Sequence, residues 1–310
     1  MKKISVVTPC YNEEENVFDT YLAIKQQFEE LKTKYQYEHI FIDNASTDST
    51  VQILRDIAKE DENVKVIVNA RNAGFVRSSF YGLLQAFGDA VIFVEADLQT
   101  PPATILEFIK KWESGSKVVV GIKEESHENF VMFRIRKLFY STLAKMSETP
   151  IILNFLGVGL YDQSFISLLR EVDDPYPYFR GLVAELASDI EKVYYVQDVR
   201  KKGKSSFSLY KLYDVAMLGF VNYTKLPLRL ASFIGLIIAI LCLIIMGITL
   251  TCKLLFWDSF AVGQAAISVG IFFLGAVQLV FLGIIGEYIS AIYVQVRKRP
   301  LVIERERINF

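Results

Sequence analysis

The most restrictive stretch of the chain is Val91-Ile-Phe-Val94, followed by Glu95-Ala-Asp97-Leu-Gln99 and the pair Pro101-Pro102. Four apolar, β-branched or aromatic residues read as a strand buried on both faces, as in a parallel sheet. The prolines then prevent the strand from continuing. In open α/β sheets, ligands bind at the carboxyl ends of the strands. Glu95 and Asp97 standing there, with the Gln99 amide, are costly to hold unless something positive neutralises them. A divalent cation carrying a diphosphate is one solution, because hard cations prefer carboxylate and amide oxygens. A solvated loop that caps the strand is the other.

Strand and helix alternate ahead of this stretch. Ile4–Thr8, His39–Asp43 and Val64–Val68 read as strands, and Lys117–Gly121 and Val193–Val199 follow later. Val17, Tyr21, Ile24, Phe28 and Leu31 fall on one helical face. Asn44–Ser49 supplies cap residues for a helix carrying Val51, Leu54 and Ala58, and another helix fits between Gly74 and Gly88. This is βαβ spacing, which predicts a mostly parallel, right-handed α/β sheet. Three strand ends then bring polar groups to one rim: Tyr11, Asn12 and Glu13; Asp43 and Asn44; Glu95, Asp97 and Gln99.

At 310 residues the chain has room for one large or two modest domains. A net charge of −1 offers no basic field, so nucleic acid is not an expected partner. The three cysteines, Cys10, Cys242 and Cys252, show neither metal nor disulfide spacing. Met1-Lys-Lys-Ile-Ser5 leads straight into a strand, so no signal peptide is expected. The composition is 52% hydrophobic, and the surplus lies after Leu226.

Four motifs carry a resemblance: Pro9-x-Tyr11-Asn12-Glu13, Asp43-Asn44-x-Ser46-x-Asp48-x-Thr50, Arg71-Asn72-x-Gly74, and Ala96-Asp97-Leu98-Gln99-x-Pro101-Pro102. Together they resemble the inverting family 2 glycosyltransferases of GT-A fold, and within them the polyprenyl-phosphate glycosyltransferases (dolichyl-phosphate mannose synthase and bactoprenol glucosyltransferase branch). The resemblance implies a donor site lined by Pro9, Tyr11, Asn12, Glu13, Asp43, Asn44, Arg71, Asn72, Gly74, Glu95 and Ala96. Pro9, Tyr11, Glu13 and Asp43 would hold the nucleobase and ribose. Asp97 with Gln99 would hold Mg2+ or Mn2+ against the diphosphate, and Glu95 would reach the metal through water, bind the donor ribose, or do neither. Turn and cap chemistry is the other reading of Asp43 and Asp48. Glu95 stands where the branch usually has Asp.

For the acceptor, the resemblance points to Arg134 and Arg136, to Arg180, and to the basic loop with Arg200, Lys202, Lys204 and Ser205. An ordinary amphipathic helix around Arg134, or a membrane-surface patch at 200–205, fits the same residues. Gly157 and Gly159 replace an Asp and an Arg of the family pattern. Asp162, which matches a later family Asp, is then the one carboxylate left there for a catalytic part beside Asp97. A lipid phosphate needs no general base, whereas a hydroxyl acceptor would.

The expected organisation is a GT-A catalytic domain over 1–205, an interfacial amphipathic helix over 206–228, and over 229–310 an anchor of two transmembrane helices with a short basic tail. Leu230–Cys252 and Phe260–Gly286 carry no charge and have spanning length. Lys225, Arg229 and Arg297–Arg299 flank them, placing both termini on the cytoplasmic side of an inner or plasma membrane. The family often assembles as homo-oligomers, including tetramers. The expected activity is transfer from a nucleotide sugar, a UDP-sugar first, to undecaprenyl-type phosphate for surface glycan assembly. Transfer to a hydroxyl of a lipid-linked oligosaccharide, and a catalytically degenerate membrane partner protein, are the alternatives.

Overall fold

The structure is a computed structural model that describes residues 1–124, 152–198, 264–297 and 299–310, with scattered helical positions between 233 and 255. In chain order the elements are β1 (Lys2–Cys10), α1 (Val17–Glu29), β2 (Tyr35–Asp43), α2 (Thr50–Glu60), β3 (Val64–Asn69), α3 (Phe75–Leu84), β4 (Ala90–Phe93) and α4 (Thr104–Glu113). There follow β5 (Val118–Lys123), β6 (Phe155–Asp162), α5 (Gln163–Glu171), α6 (Phe179–Leu186), β7 (Glu191–Tyr195), α7 (Gln264–Val296) and β8 (Glu304–Ile308).

The eight strands form one sheet in the order β7-β5-β6-β4-β1-β2-β3-β8. β3, β2, β1 and β4 are parallel neighbours, and β5 pairs parallel with β7. β6 and β8 run against their neighbours. The expected α/β sheet is present but mixed rather than mostly parallel, because β6 and β8 are reversed strands that the periodicity did not announce.

Both faces are covered, which is why the inner strands read as continuous apolar runs. Val7, Ile40, Ile42, Phe80, Leu83 and Val183 pack on one face. On the other, Ile4, Val6 and Ile92 meet Ile24 and Phe28 of α1 and Phe108 and Trp112 of α4. α3 lies close enough that a Cβ on Gly82 would come within 2.9 Å of Ile42 and 3.1 Å of Val7. The register sets Cys10 beside Asp43, and Asp43 beside Val68. Three strands thus end at one level.

The C-terminal part differs from expectation. Residues 206–228 lie outside the described residues, and 230–252 is described at scattered positions. The second charge-free run enters α7, but α7 continues past it through Glu287 to Gln295. Among the described residues, no helix is long and apolar enough to cross a membrane. This overturns the two-helix transmembrane hairpin and the two-span placement with cytoplasmic termini. A charge-free run is necessary for a span but does not by itself define the helix that forms.

His39 on β2 is fully buried, 3.0 Å from the Thr8 hydroxyl, with its ring centroid 3.9 Å from that of Phe41 and tilted 32° to it. Burial pushes its imidazole down to about 3, against a weaker upward pull from Asp61. The folded state holds this ring neutral, whereas the unfolded chain protonates it below about 6.5. Its contribution is therefore complete above pH 6.5 and is lost as pH falls toward 3. Chemical denaturation across that window should show a flatter acid limb for His39→Gln than for the native chain. Glu38 and Asp61, whose ion pairs hold their carboxyls low, supply the acid loss that remains.

Candidate active site

The site is built where β1, β2, β3 and β4 end. The Asn12 amide donates to the Ser46 hydroxyl at 2.9 Å, and Thr47 N donates to the Asn12 side chain at 2.8 Å. Glu13 N donates to the Thr50 hydroxyl at 2.9 Å, and Ser49 N to Glu14 at 2.9 Å. The loops after β1 and β2 are zipped together by their own polar groups.

Asp43 is fully buried, and both its oxygens accept bonds from Ser46, one from the amide at 2.9 Å and one from the hydroxyl. Burial raises its carboxyl above the ordinary range, and the Ser46 bonds pull the other way. Asp48 accepts from Thr50 N at 3.0 Å, from the Thr50 hydroxyl at 2.6 Å and from Glu14 N at 3.2 Å. Both carboxylates hold local turns, Asp43 onto Ser46 and Asp48 onto Thr50, while Tyr11, Asn12 and Glu13 reach the surface in part or whole.

The loop between β3 and α3 is held by an amide lattice. Asn69 Nδ2 and Ala73 N donate to Asn44 Oδ1 at 3.1 and 2.9 Å, and Asn44 Nδ2 donates to Asn72 Oδ1 at 3.0 Å. Gly74 N donates to the same Asn72 oxygen at 2.9 Å, and its φ of 87° suits glycine. Arg71 and Asn72 are exposed at the rim. Asn69, fully buried at the lattice's base, was invisible to motif reading because it ends an ordinary-looking strand.

In the acidic loop, Gln99 N donates to Asp97 Oδ1 at 3.1 Å, and Thr20 donates to the Ala96 carbonyl at 2.7 Å. Gln99 behaves otherwise than expected. Its side-chain oxygen accepts from Gln197 at 2.9 Å, its backbone carbonyl accepts from Asp198 N at 3.0 Å, and its amide nitrogen lies 3.5 Å from the Asp198 carbonyl. Gln99 thereby ties the segment after β7 to the acidic loop. Among the described residues, no three carboxylate, histidine or cysteine side chains form a group able to hold a metal ion.

Tyr195, at the end of β7, responds to the charges of this rim. Burial pushes its hydroxyl up, a bond with Thr100 pulls it down, Glu95 and Asp97 push it up, and Arg180 pulls it down. One hydroxyl thus feels both carboxylates and the guanidinium. Sequence reasoning missed Tyr195, since nothing in the local pattern tells which strand neighbours the acidic loop.

β6 supplies a correction. It runs opposite to β4, with Gly159 beside Phe93 and Asp162 beside Ala90, where β4 begins. Asp162 therefore sits at the opposite end of the sheet from Asp97. It caps α5, accepting from Ser164 N at 2.9 Å and the Ser164 hydroxyl at 2.6 Å, and also accepts from Trp112 Nε1 at 2.9 Å. In that place it holds the start of α5 and the Trp112 indole. A Cβ on Gly159 would lie 2.3 Å from the Val119 carbonyl, so this strand cannot carry the family's Arg there. Gly157, with φ of 106°, holds a conformation costly for Asp. Arg134, Arg136, Arg200, Lys202, Lys204 and Ser205 lie outside the described residues.

The loops after β1, β2 and β4, and the one before β6, each carry one non-glycine residue with left-handed backbone: Asn12 (φ 55°), Ala45 (62°), Leu98 (55°) and Asn154 (58°). Such residues collect at functional sites, where surrounding bonds over-determine them.

A family model described as glycosyl transferase family 2 matches residues 5–176. The chain belongs to glycosyl transferase family 2. It is 33% identical to an uncharacterized glycosyltransferase of Bacillus subtilis, YkcC, over 96% of this chain and 92% of that protein. The bactoprenol glucosyl transferase of Shigella phage SfV is 31% identical, over 98% of this chain and 99% of that protein. The prophage bactoprenol glucosyl transferase homolog of Escherichia coli is 30% identical, over 97% and 98%. Among solved structures, glucosyl-3-phosphoglycerate synthase of Mycobacterium tuberculosis, in complex with Mn2+, UDP and phosphoglyceric acid, aligns over 71% of this chain and 76% of that one at 20% identity and TM-score 0.45.

If Asp162 is a cap in this glycosyltransferase, Asp162→Ala should lower stability by roughly 1–3 kcal/mol through the lost cap and Trp112 bond. Turnover per folded molecule should stay within about twofold. Thermal melts and kcat measured below the melt decide both.

Proposed function

We propose that this glycosyltransferase moves a sugar from a nucleotide sugar to a polyprenyl phosphate, with inversion at the anomeric carbon. The observation that carries the reading is that the loops leaving β1, β2, β3 and β4 are cross-linked at one rim, where Asp97 is held beside Gln99 and the segment after β7, and to which β6 brings no carboxylate. Near-full-length likeness to bactoprenol glucosyl transferases supports the acceptor class.

The donor would lie across the ends of β1, β2 and β3, against Tyr11, Asn12, Arg71 and Asn72. Asp43, Asp48, Asn44 and Asn69 would act one step back, keeping the loops shaped before the nucleotide arrives. Preorganised loops spare the ordering cost that binding would otherwise carry.

Asp97, with Glu95, would hold Mg2+ or Mn2+. The donor set fits: such cations commonly take one or two carboxylates and complete their shell with water and substrate phosphates, so a cage of three side chains is not required. Bound there, the cation would neutralise charge growing on the leaving diphosphate. Gln99 holds Gln197 and Asp198 beside that carboxylate.

The acceptor needs an anion-holding group more than a base. A lipid phosphate is already a nucleophilic anion near neutral pH, and its oxygen would attack the anomeric carbon as the bond to the diphosphate breaks. Arg180 would hold that phosphate. Arg134, Arg136, Arg200, Lys202, Lys204 and Ser205 belong to the same proposal on the strength of their sequence motifs. The position of Asp162 at the far end of β6 favours the phosphate over a hydroxyl acceptor, which would have called for a base.

The purified chain, given undecaprenyl phosphate and radiolabelled UDP-glucose or another UDP-sugar, should yield a lipid product labile to mild acid. Chelation with EDTA should stop turnover, and Mg2+ or Mn2+ should restore it. Asp97→Asn should lower kcat/KM by roughly 100-fold or more at an unchanged melting temperature. Full turnover by that variant would sink the assignment.

A further inference from the structure

Instead of trailing as a basic tail, the C-terminal segment returns to the sheet. β8 pairs antiparallel with β3, with Ile308 opposite Val66 and Glu304 opposite Asn69. Because β8 runs against β3, its beginning lies at the rim where β3 ends. There the Ile303 carbonyl accepts a bond from Ala70 N at 2.8 Å, one residue before Arg71. Val302 beside it is buried.

The segment also grips the elements on either side of the 69–74 loop. Glu304 accepts from the Tyr81 hydroxyl of α3 at 2.6 Å. Arg307 pairs with Glu304 at 2.6 Å and donates to Gln85 Oε1, at the end of α3, at 2.6 Å. Glu306 pairs with Arg55 of α2 at 2.6 Å. Asn309 donates to the carbonyls of Ala58 and Val64 at 2.6 and 2.9 Å. Both stems of the loop, β3 and α3, are thereby tied to one strand. The Asn44–Asn69–Asn72 lattice fixes the loop from the sheet side, and the Ala70–Ile303 bond fixes it from the edge.

We propose that residues 301–309 are a positioning element of the donor site, holding the Arg71–Gly74 loop in the shape that receives the nucleotide. The inference rests on the donor reading of this rim. None of these residues touches the reacting atoms; they act through the loop. Tyr81 and Glu304 are the working pair, because their bond joins β8 to the helix that the loop feeds.

The test uses the full-length chain with Glu304→Ala, Tyr81→Phe and Glu304→Gln, the last keeping an acceptor for Tyr81. Hydrogen exchange at amides 70–74 and binding of UDP with Mn2+ are measured below the melting temperature of each variant. Glu304→Ala and Tyr81→Phe should speed exchange at 70–74 while leaving β1 and β2 protected. They should weaken UDP binding by roughly threefold to tenfold and raise the donor KM with little change in kcat. Glu304→Gln should regain most of the loss. Unchanged exchange at 70–74, or faster exchange with unchanged UDP affinity, overturns the proposal. A native chain that takes no UDP defeats the donor reading itself and this claim with it, whereas native binding that Glu304→Ala leaves intact defeats the positioning claim alone.

Discussion

Parallel pairing of β3, β2, β1 and β4, covered on both faces, is the constraint from which the rest follows. Strands of this kind have no solvated face, so polar groups inside them need partners, and Ser5 with Glu38 and Thr8 with His39 show how few there are. Other polar chemistry is driven to the strand ends. Because the four strands run the same way, those ends share one rim, and the loops leaving them meet. Hydrophobic burial in the sheet thus dictates where a nucleotide-sugar site can lie.

What the rim does with its carboxylates is a matter of division. Asp43 and Asp48 are spent on Ser46, Thr50 and Glu14, shaping two loops. Glu95 and Asp97 are half-buried on the neighbouring loop, whereas Asp43 is fully buried. Left-handed backbone at Asn12, Ala45 and Leu98 lets each loop turn sharply off its strand, at a cost of about 1 kcal/mol or more for a residue such as alanine or leucine. Bonds within the loops, such as Ser46 to Asp43, and between them, such as Asn12 to Ser46, offset that strain. The site is therefore one cross-linked unit.

Much of this is legible in the amino-acid sequence. The acidic ends of β2 and β4, the helix faces, and the motif set that marks the family all lie in short windows, and each stands where its pattern places it. The placements that were not legible share a cause. Asp162 looks like a site residue because it follows a strand, but β6 runs backwards relative to β4, so its end is the far rim. Gln99 has the right chemistry for a cation, yet its partner, Gln197, comes from a segment distant in sequence. The charge-free C-terminal runs suggest two spans, where the described helix α7 follows other bounds.

The sequence by itself determined which segments bury themselves, which turn, and which polar groups are left at the ends, because periodicity and side-chain size act over a few residues. Only the tertiary structure decided which strand pairs with which and in what direction. Those choices depend on how distant segments close over a shared core, and no local window encodes them. They separate Asp97 from Asp162 and bring Tyr195 and Gln197 to the acidic loop. They also return the last residues of the chain to the edge of β3, beside the Arg71–Gly74 loop.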